Sequence, residues 1–268
     1  MKIPGKRTLL IVLPFFVLLT AVTYYHKNLI QSFNVRKLVA AGLDDRIVPH
    51  QINDLDRLKA VIGDDVLSFE IDVSIFTVEG RTEFRVGHGA PDPNSPFLVN
   101  YLEATRWRVL KKLWLDVKNL DDDNIDSATA ALERLDTRYG IRQIAIIESS
   151  MTDSGFDKIA ARGFHTSYYL PTRELLAISA GSEPEKTAEA AKLAEQLKRQ
   201  SVSAVSFDLR LYSFVKDYLE PLLDTSAVYH VWESVKLWEW GALDDLTTSD
   251  YYRDPRVKTI LVRYWGPG

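Results

Sequence analysis

The chain has 268 residues, of which 46% are apolar and 26% charged, an ordinary globular composition; with no polar linker or internal repeat it reads as one large domain behind an N-terminal extension. A net charge of -4, with Lys and Arg scattered, argues against a nucleic-acid binder. The absence of cysteine excludes disulfides, thiolate metal sites, a cysteine nucleophile and a lipoprotein anchor.

Lys2, Lys6 and Arg7 precede an uncharged, apolar stretch from Thr8 to Tyr25. As a helix it would span roughly 27 Å, enough for the hydrocarbon core of a bilayer. The charges before it, and Tyr24 and Tyr25 at its far end, predict a transmembrane signal anchor over residues 1–25, with the N-terminus cytoplasmic and the remainder periplasmic or extracellular. A cleaved signal peptide is the alternative, although Leu19-Thr20-Ala21 is a poor cleavage site. Residues 26–44 read as a polar, partly helical juxtamembrane tether, and residues 45–268 as the folded domain.

From Arg46 onward the pattern alternates. A short strand ending at His50 precedes a helix marked by Leu55, Leu58, Val61 and Ile62. Val66 to Val73 is a strand, and Glu79-Gly80-Arg81 turns into a second extended piece ending at Gly87-His88-Gly89. Ala90 to Pro96 holds three prolines and is loop. Leu113 to Lys118 is a strand, and a helix follows to Tyr139, stopped by Gly140. Strands over 143–148, 165–170, 202–209, 228–233 and 258–264 alternate with helices over 155–161, 185–199, 211–223 and 246–252. Eight principal strands alternating with helices predict a (β/α)8 TIM barrel. A doubly wound sheet competes, but no glycine-rich phosphate loop follows the first strand.

In such a barrel, chemistry collects where the strands end. Glu70 and Asp72 are two residues apart in one strand, and Asp116 and Lys118 repeat the spacing in another. Residues at i and i+2 of a strand share a face, so each strand projects two charges together. Carboxylates gathered away from water repel one another unless paired or bound to metal. A divalent cation held by Glu70, Asp72 and Asp116 is the economical explanation; a buried ion-pair network around Lys118 is the structural alternative. Glu148 ends the fourth strand as a further oxygen ligand or a helix-start carboxylate. Tyr168 or Tyr169 closes the fifth strand, Asp208 and Arg210 the sixth, His230 and Trp232 the seventh, and Arg263 and Trp265 the eighth. Tyr168, Arg210, Trp232 and Trp265, with Asn53 one helical turn beyond His50, are candidate substrate contacts. Core packing for the tryptophans and an Asp208–Arg210 pair are the plainer readings.

The ordered set His50-Gln51-Ile52-Asn53, Phe69-Glu70-Ile71-Asp72-Val73, Gly87-His88-Gly89-Ala90-Pro91 and Leu115-Asp116-Val117-Lys118 resembles the phospholipase-C-like barrel superfamily, which includes the glycerophosphodiester phosphodiesterases and the sphingomyelinase D toxins. Within it the set is most similar to the menorin group. The resemblance implies Mg2+ or Ca2+ on Glu70, Asp72 and Asp116, with Glu148 as a candidate fourth ligand. It implies His50 and His88 as the acid/base pair and Lys118 on the phosphate. The function it implies is a metal-dependent phosphodiester hydrolase or transesterase acting on a glycerophosphodiester- or phospholipid-type substrate. A non-catalytic barrel binding phosphate and metal, and a glycosidase using two barrel carboxylates, are the alternatives. Two departures stand out: Gln51 and Ile52 replace the Arg-Gly that usually follows the first histidine, and Asp116 replaces a common glutamate, as in the toxin branch.

Overall fold

The computed structural model describes residues 6–89, 92–106, 109–150, 154–202 and 204–265, with side chains of the first helix from Val22 onward. Among the described residues nine strands form one curled sheet of order β1-β9-β8-β7-β6-β5-β4-β2-β3. They are β1 (Ile47–His50), β2 (Ser68–Val78), β3 (Arg81–Val86), β4 (Lys112–Val117), β5 (Ala145–Ser149), β6 (His165–Tyr169), β7 (Ala204–Asp208), β8 (Val228–Lys236) and β9 (Val257–Arg263). All neighbours pair in parallel except β3, which folds back antiparallel on the second half of β2, from Val73↔Val86 to Val78↔Arg81.

Helices cover the outside: α1 (Lys6–Ala40), α2 (Leu55–Gly63), α3 (Leu98–Thr105), α4 (Ile125–Tyr139), α5 (Asp157–Ala161), α6 (Thr172–Ser179) and α7 (Glu183–Arg199). Local chemistry sets their ends. Asp54 caps α2 by accepting the Arg57 N–H at 2.7 Å. Gly140 ends α4 at φ 66°, a conformation that a Cβ would strain. Ser182 and Glu185 bond reciprocally at the start of α7. After β7, short helical turns run from Leu209 to Leu222, and Ala242–Thr248 and Asp250–Arg253 follow β8.

The two-residue period of the strands separates two cores. Phe69, Ile71, Val73, Leu113, Leu115, Phe207, Val231, Ile260 and Val262 pack outward against the helices in one large apolar cluster. Their alternates face inward, where Val48, Trp114, Ile146 and Leu261 form a second, small cluster. Above that plug the inward positions turn charged, and this places the site.

Two expectations are corrected. The sheet is not the closed (β/α)8 barrel anticipated: among the described residues no ladder joins β1 to β2. The physical reason is local. β1 has only four residues, and the next one, Gln51, turns away at φ 57°. The Ile52 N–H then bonds Glu70 O at 2.9 Å across the seam. The fold is therefore a mixed α/β curled sheet of TIM-like kind.

The membrane-spanning anchor and the single-pass membrane localisation are also overturned, because among the described residues no helix is long and apolar enough to cross a membrane. The backbone of the apolar stretch belongs to α1, whose 35 residues run without a break into a polar, packed half. Its side chains before Val22, and with them Leu19-Thr20-Ala21, lie outside the described residues. The segment expected as a tether docks through α1: Ile30, Val35 and Leu38 are buried. Gln31 Nε2 donates to Trp265 O at 2.6 Å, and Asn34 Nδ2 donates to Leu237 O at 2.8 Å.

Candidate active site

The carboxyl ends of the strands surround a cavity of about 830 Å³. Register explains which side chains meet there. Asp72 of β2 is opposite Asp116 of β4, and Asp116 is opposite Glu148 of β5. Partners in parallel strands share a face, so the three acids form one row across the sheet. Glu70 lies two residues deeper on β2. Glu70, Asp72 and Asp116 each offer an oxygen within 4.8 Å of the other two.

Neighbouring groups hold these acids in place. The Gln51 N–H donates to Glu70 Oε2 at 2.6 Å. Asn53 grips Asp72 twice: its Nδ2 donates to Asp72 Oδ2 at 2.5 Å, and its Oδ1 accepts the Asp72 N–H at 3.0 Å. Tyr101 steadies that loop by donating its hydroxyl to Asn53 O at 2.6 Å. Lys118 Nζ lies 2.5 Å from Asp72 Oδ1 and also donates to Asp116.

Both expected histidines reach the cluster. His50 Nε2 is 3.5 Å from Glu70 Oε2, and its ring lies 6.4 Å from that of Trp232. His88, mostly exposed, brings Nδ1 to 3.1 Å from Asp72 Oδ2 and 3.3 Å from Gln51 Nε2. Ala90 and Pro91 of its loop lie outside the described residues.

The charges strain against burial. Desolvation, then repulsion from Asp72 and Asp116, pushes the Glu70 carboxyl well above the usual range. Burial followed by Asp116 does the same to Glu148. Burial also raises Asp116, more than Lys118 lowers it. Burial alone would raise Asp72, yet the adjacent Lys118 ammonium holds it below its ordinary value. Burial would lower Lys118, but Asp116 and Asp72 outweigh it and raise its pKa. Desolvation drops His50 to about 4, against the pull of Asp72 and with help from Lys118 and Arg263. Its ring is neutral at pH 7.

A divalent cation fits this donor set. Three carboxylates from adjacent strands supply the hard oxygen ligands that Mg2+ and Ca2+ prefer. Among the described residues Glu70 Oε1 is buried with no hydrogen-bond partner, and a buried polar atom left so is costly unless something else satisfies it. Lys118 neutralises part of the cluster and reaches only its outer two acids. Glu148 Oε2 is likewise buried and unpartnered, though Glu148 stands outside the converging trio.

The candidate substrate contacts divide. Trp232 and Arg210 line the cavity. Arg210 forks onto Asp208 at 2.9 Å and 2.5 Å, so the structural pair and the cavity position coexist. Tyr168 does not line the cavity; it is buried in the outer core, and Tyr169, in phase with Ser167, faces inward in its place. Trp265 is also displaced. It packs edge-on to Trp238 at 5.5 Å beneath Lys27, and its backbone N–H donates to Gln31 Oε1 of α1. Gln51, Tyr169, Glu233 and Arg263 also line the cavity; the sequence places Tyr169 and Arg263 at strand ends without marking them as substrate contacts. For Tyr169 and Arg263 the missed signal was phase: each is two residues beyond an inward-facing Ser167 or Leu261.

No family model matches the chain, and no curated protein does. Solved structures do. A glycerophosphodiester phosphodiesterase from Parabacteroides distasonis superposes with a TM-score of 0.52 at 12% identity, covering 82% of this chain and 92% of that one. Proteins assigned to the same activity from Silicibacter pomeroyi and Galdieria sulphuraria give TM-scores of 0.55 and 0.52, each at 14% identity. Each of these two also covers 82% of this chain, and 90% and 93% of its own. The chain thus shares its fold with these solved structures. At this identity the likeness is one of fold, and it does not single out the menorin group.

Proposed function

We propose that this chain cleaves phosphodiesters of the glycerophosphodiester or phospholipid-headgroup type, with Mg2+ or Ca2+ held by Glu70, Asp72 and Asp116. The observation that carries the reading is the convergence of three carboxylates, one with an orphaned buried oxygen, beside two imidazoles in one cavity. The shared fold supports it, and about 830 Å³ is room for a phosphate with a group on either side.

Bound there, the cation would supply positive charge to the phosphoryl oxygens as negative charge builds up on them. The protein's own groups do the rest. His50, neutral because it is desolvated, accepts the proton of the attacking water or substrate hydroxyl as the new O–P bond forms. His88 is oriented by Asp72 through Nδ1, which leaves Nε2 to pass a proton to the departing alcohol oxygen as the old P–O bond breaks. Lys118 adds charge on the Asp116 side, and Trp232 walls the His50 side.

The test is release of aryl alcohol from a generic aryl phosphodiester, with and without chelator, in the parent and in His50→Ala and His88→Ala. Divalent-dependent turnover that falls about 100-fold or more in each variant is expected, the usual scale of general acid–base catalysis. Turnover indifferent to chelator, or to both substitutions, would reject the assignment.

A further inference from the structure

Among the described residues, three side chains with permanent positive charge line the cavity: Lys118, Arg210 and Arg263. Two are committed. Lys118 lies between Asp72 and Asp116, and Arg210 is forked onto Asp208. Arg263 differs: it is exposed to the cavity and, among the described residues, has neither an ion-pair nor a hydrogen-bond partner for its guanidinium.

Its position is built. Arg263 ends β9, two residues beyond Leu261 of the inner plug, so its side chain leaves the strand on the cavity face. Its backbone is held from both sides. In register it is opposite His50 on β1, and its carbonyl accepts the Leu237 N–H at 3.0 Å. The strand pairing therefore places Arg263 beside the proposed base.

A site for an anion must offer positive charge not already spent on the protein's own acids. We propose that Arg263 is a substrate-binding residue whose guanidinium grips a non-bridging phosphate oxygen beside His50. This rests on the phosphodiesterase reading of the cavity and adds its recognition element. The planar fork suits two phosphate oxygens, or one oxygen and a neighbouring ester oxygen, and a lysine there would supply charge without that geometry.

Two measurements test it together: binding of inorganic phosphate to the Mg2+-supplied protein by titration calorimetry, and steady-state cleavage of an aryl phosphodiester. Arg263→Ala should weaken phosphate binding and lower kcat/KM by about 10- to 100-fold, the range of one charge-assisted hydrogen bond. Arg263→Lys should restore part of both. Because Arg263 is at an exposed strand end, circular dichroism of the variants should match the parent. Phosphate binding and kcat/KM both unchanged in a folded Arg263→Ala would overturn the proposal. A parent that binds phosphate through Arg263 yet shows no divalent-dependent turnover would sink the hydrolase reading and leave this one standing. A parent that does neither would sink both.

Discussion

Lys118 and Asp72 form an ion pair at 2.5 Å in which the carboxylate is almost wholly buried and the ammonium only partly. The lysine thereby contacts two of the three acids suited to a divalent cation, and the two positive charges share one acidic cluster. This makes the lysine partly a stand-in for the cation when none is bound.

Lys118→Met should therefore expose the cost of the acids. Without metal, loss of one partner of a largely buried pair is expected to cost about 3 kcal/mol. Added Mg2+ should recover most of that, so the variant's melting midpoint would respond to Mg2+ more steeply than the parent's. A loss of stability that Mg2+ leaves untouched would count against a shared cluster.

Glu70→Gln should act in the opposite sense. Glu70 is fully buried and its charged form is disfavoured, so a neutral isostere should leave stability in chelator at or above the parental value. The parent should gain about 2.7 kcal/mol when the cation is supplied at a hundredfold its Kd, and the variant almost none. Urea midpoints with and without Mg2+ read both effects.

His230 reports on the plug beneath the site. It is buried, its Nδ1 is 2.9 Å from Ser167 Oγ, and its ring packs 5.2 Å from that of Trp114. Burial, with Lys112 and His165 adding to it, lowers its pKa to about 3. The folded value is below the unfolded one, so the unfolded chain binds the proton first as pH falls. The associated stability is complete above about pH 6.5 and is lost as pH falls toward 3. At pH 5 the loss from this one group is about 2 kcal/mol, at 1.36 kcal/mol per pH unit. The parent should lose that much more stability between pH 8 and pH 5 than His230→Gln does; parallel curves would reject it.

Gln31 ties α1 to the end of the last strand. Its amide donates to Trp265 O and accepts the Trp265 backbone N–H, both bonds being partly buried. Gln31→Ala should cost about 2 kcal/mol, since two backbone groups lose their partner together. Faster amide exchange at Trp265, with exchange in β5 and β6 unchanged, would be the local signature.

The sequence was most informative where one strand carried its own evidence. The order of strands and the pairing of Glu70 with Asp72 and of Asp116 with Lys118 follow from a period of two within six or seven residues. The structure keeps all four side chains on the cavity side. Helices α3 and α6 were missed because each is a single eight-residue element whose apolar positions are too few to show a period.

Which residues meet was decided by contacts between distant parts of the chain. Tyr168 and Tyr169 are adjacent and chemically alike, and only the pairing of β6 with β5 and β7 turns the second one inward. Trp265 lies two residues beyond the strand that Arg263 ends and is captured by Gln31, 234 positions away, as part of the docking of α1. A composition window over Thr8 to Tyr25 could not register that the same helix continues to Ala40 and buries Ile30, Val35 and Leu38. Alone, the sequence determined the faces that Glu70 shares with Asp72 and Asp116 with Lys118, because those depend on local backbone geometry. The tertiary structure decided the place of Arg263 beside His50 and the depth of Glu70, because register and burial arise only when strands from distant parts of the chain are side by side.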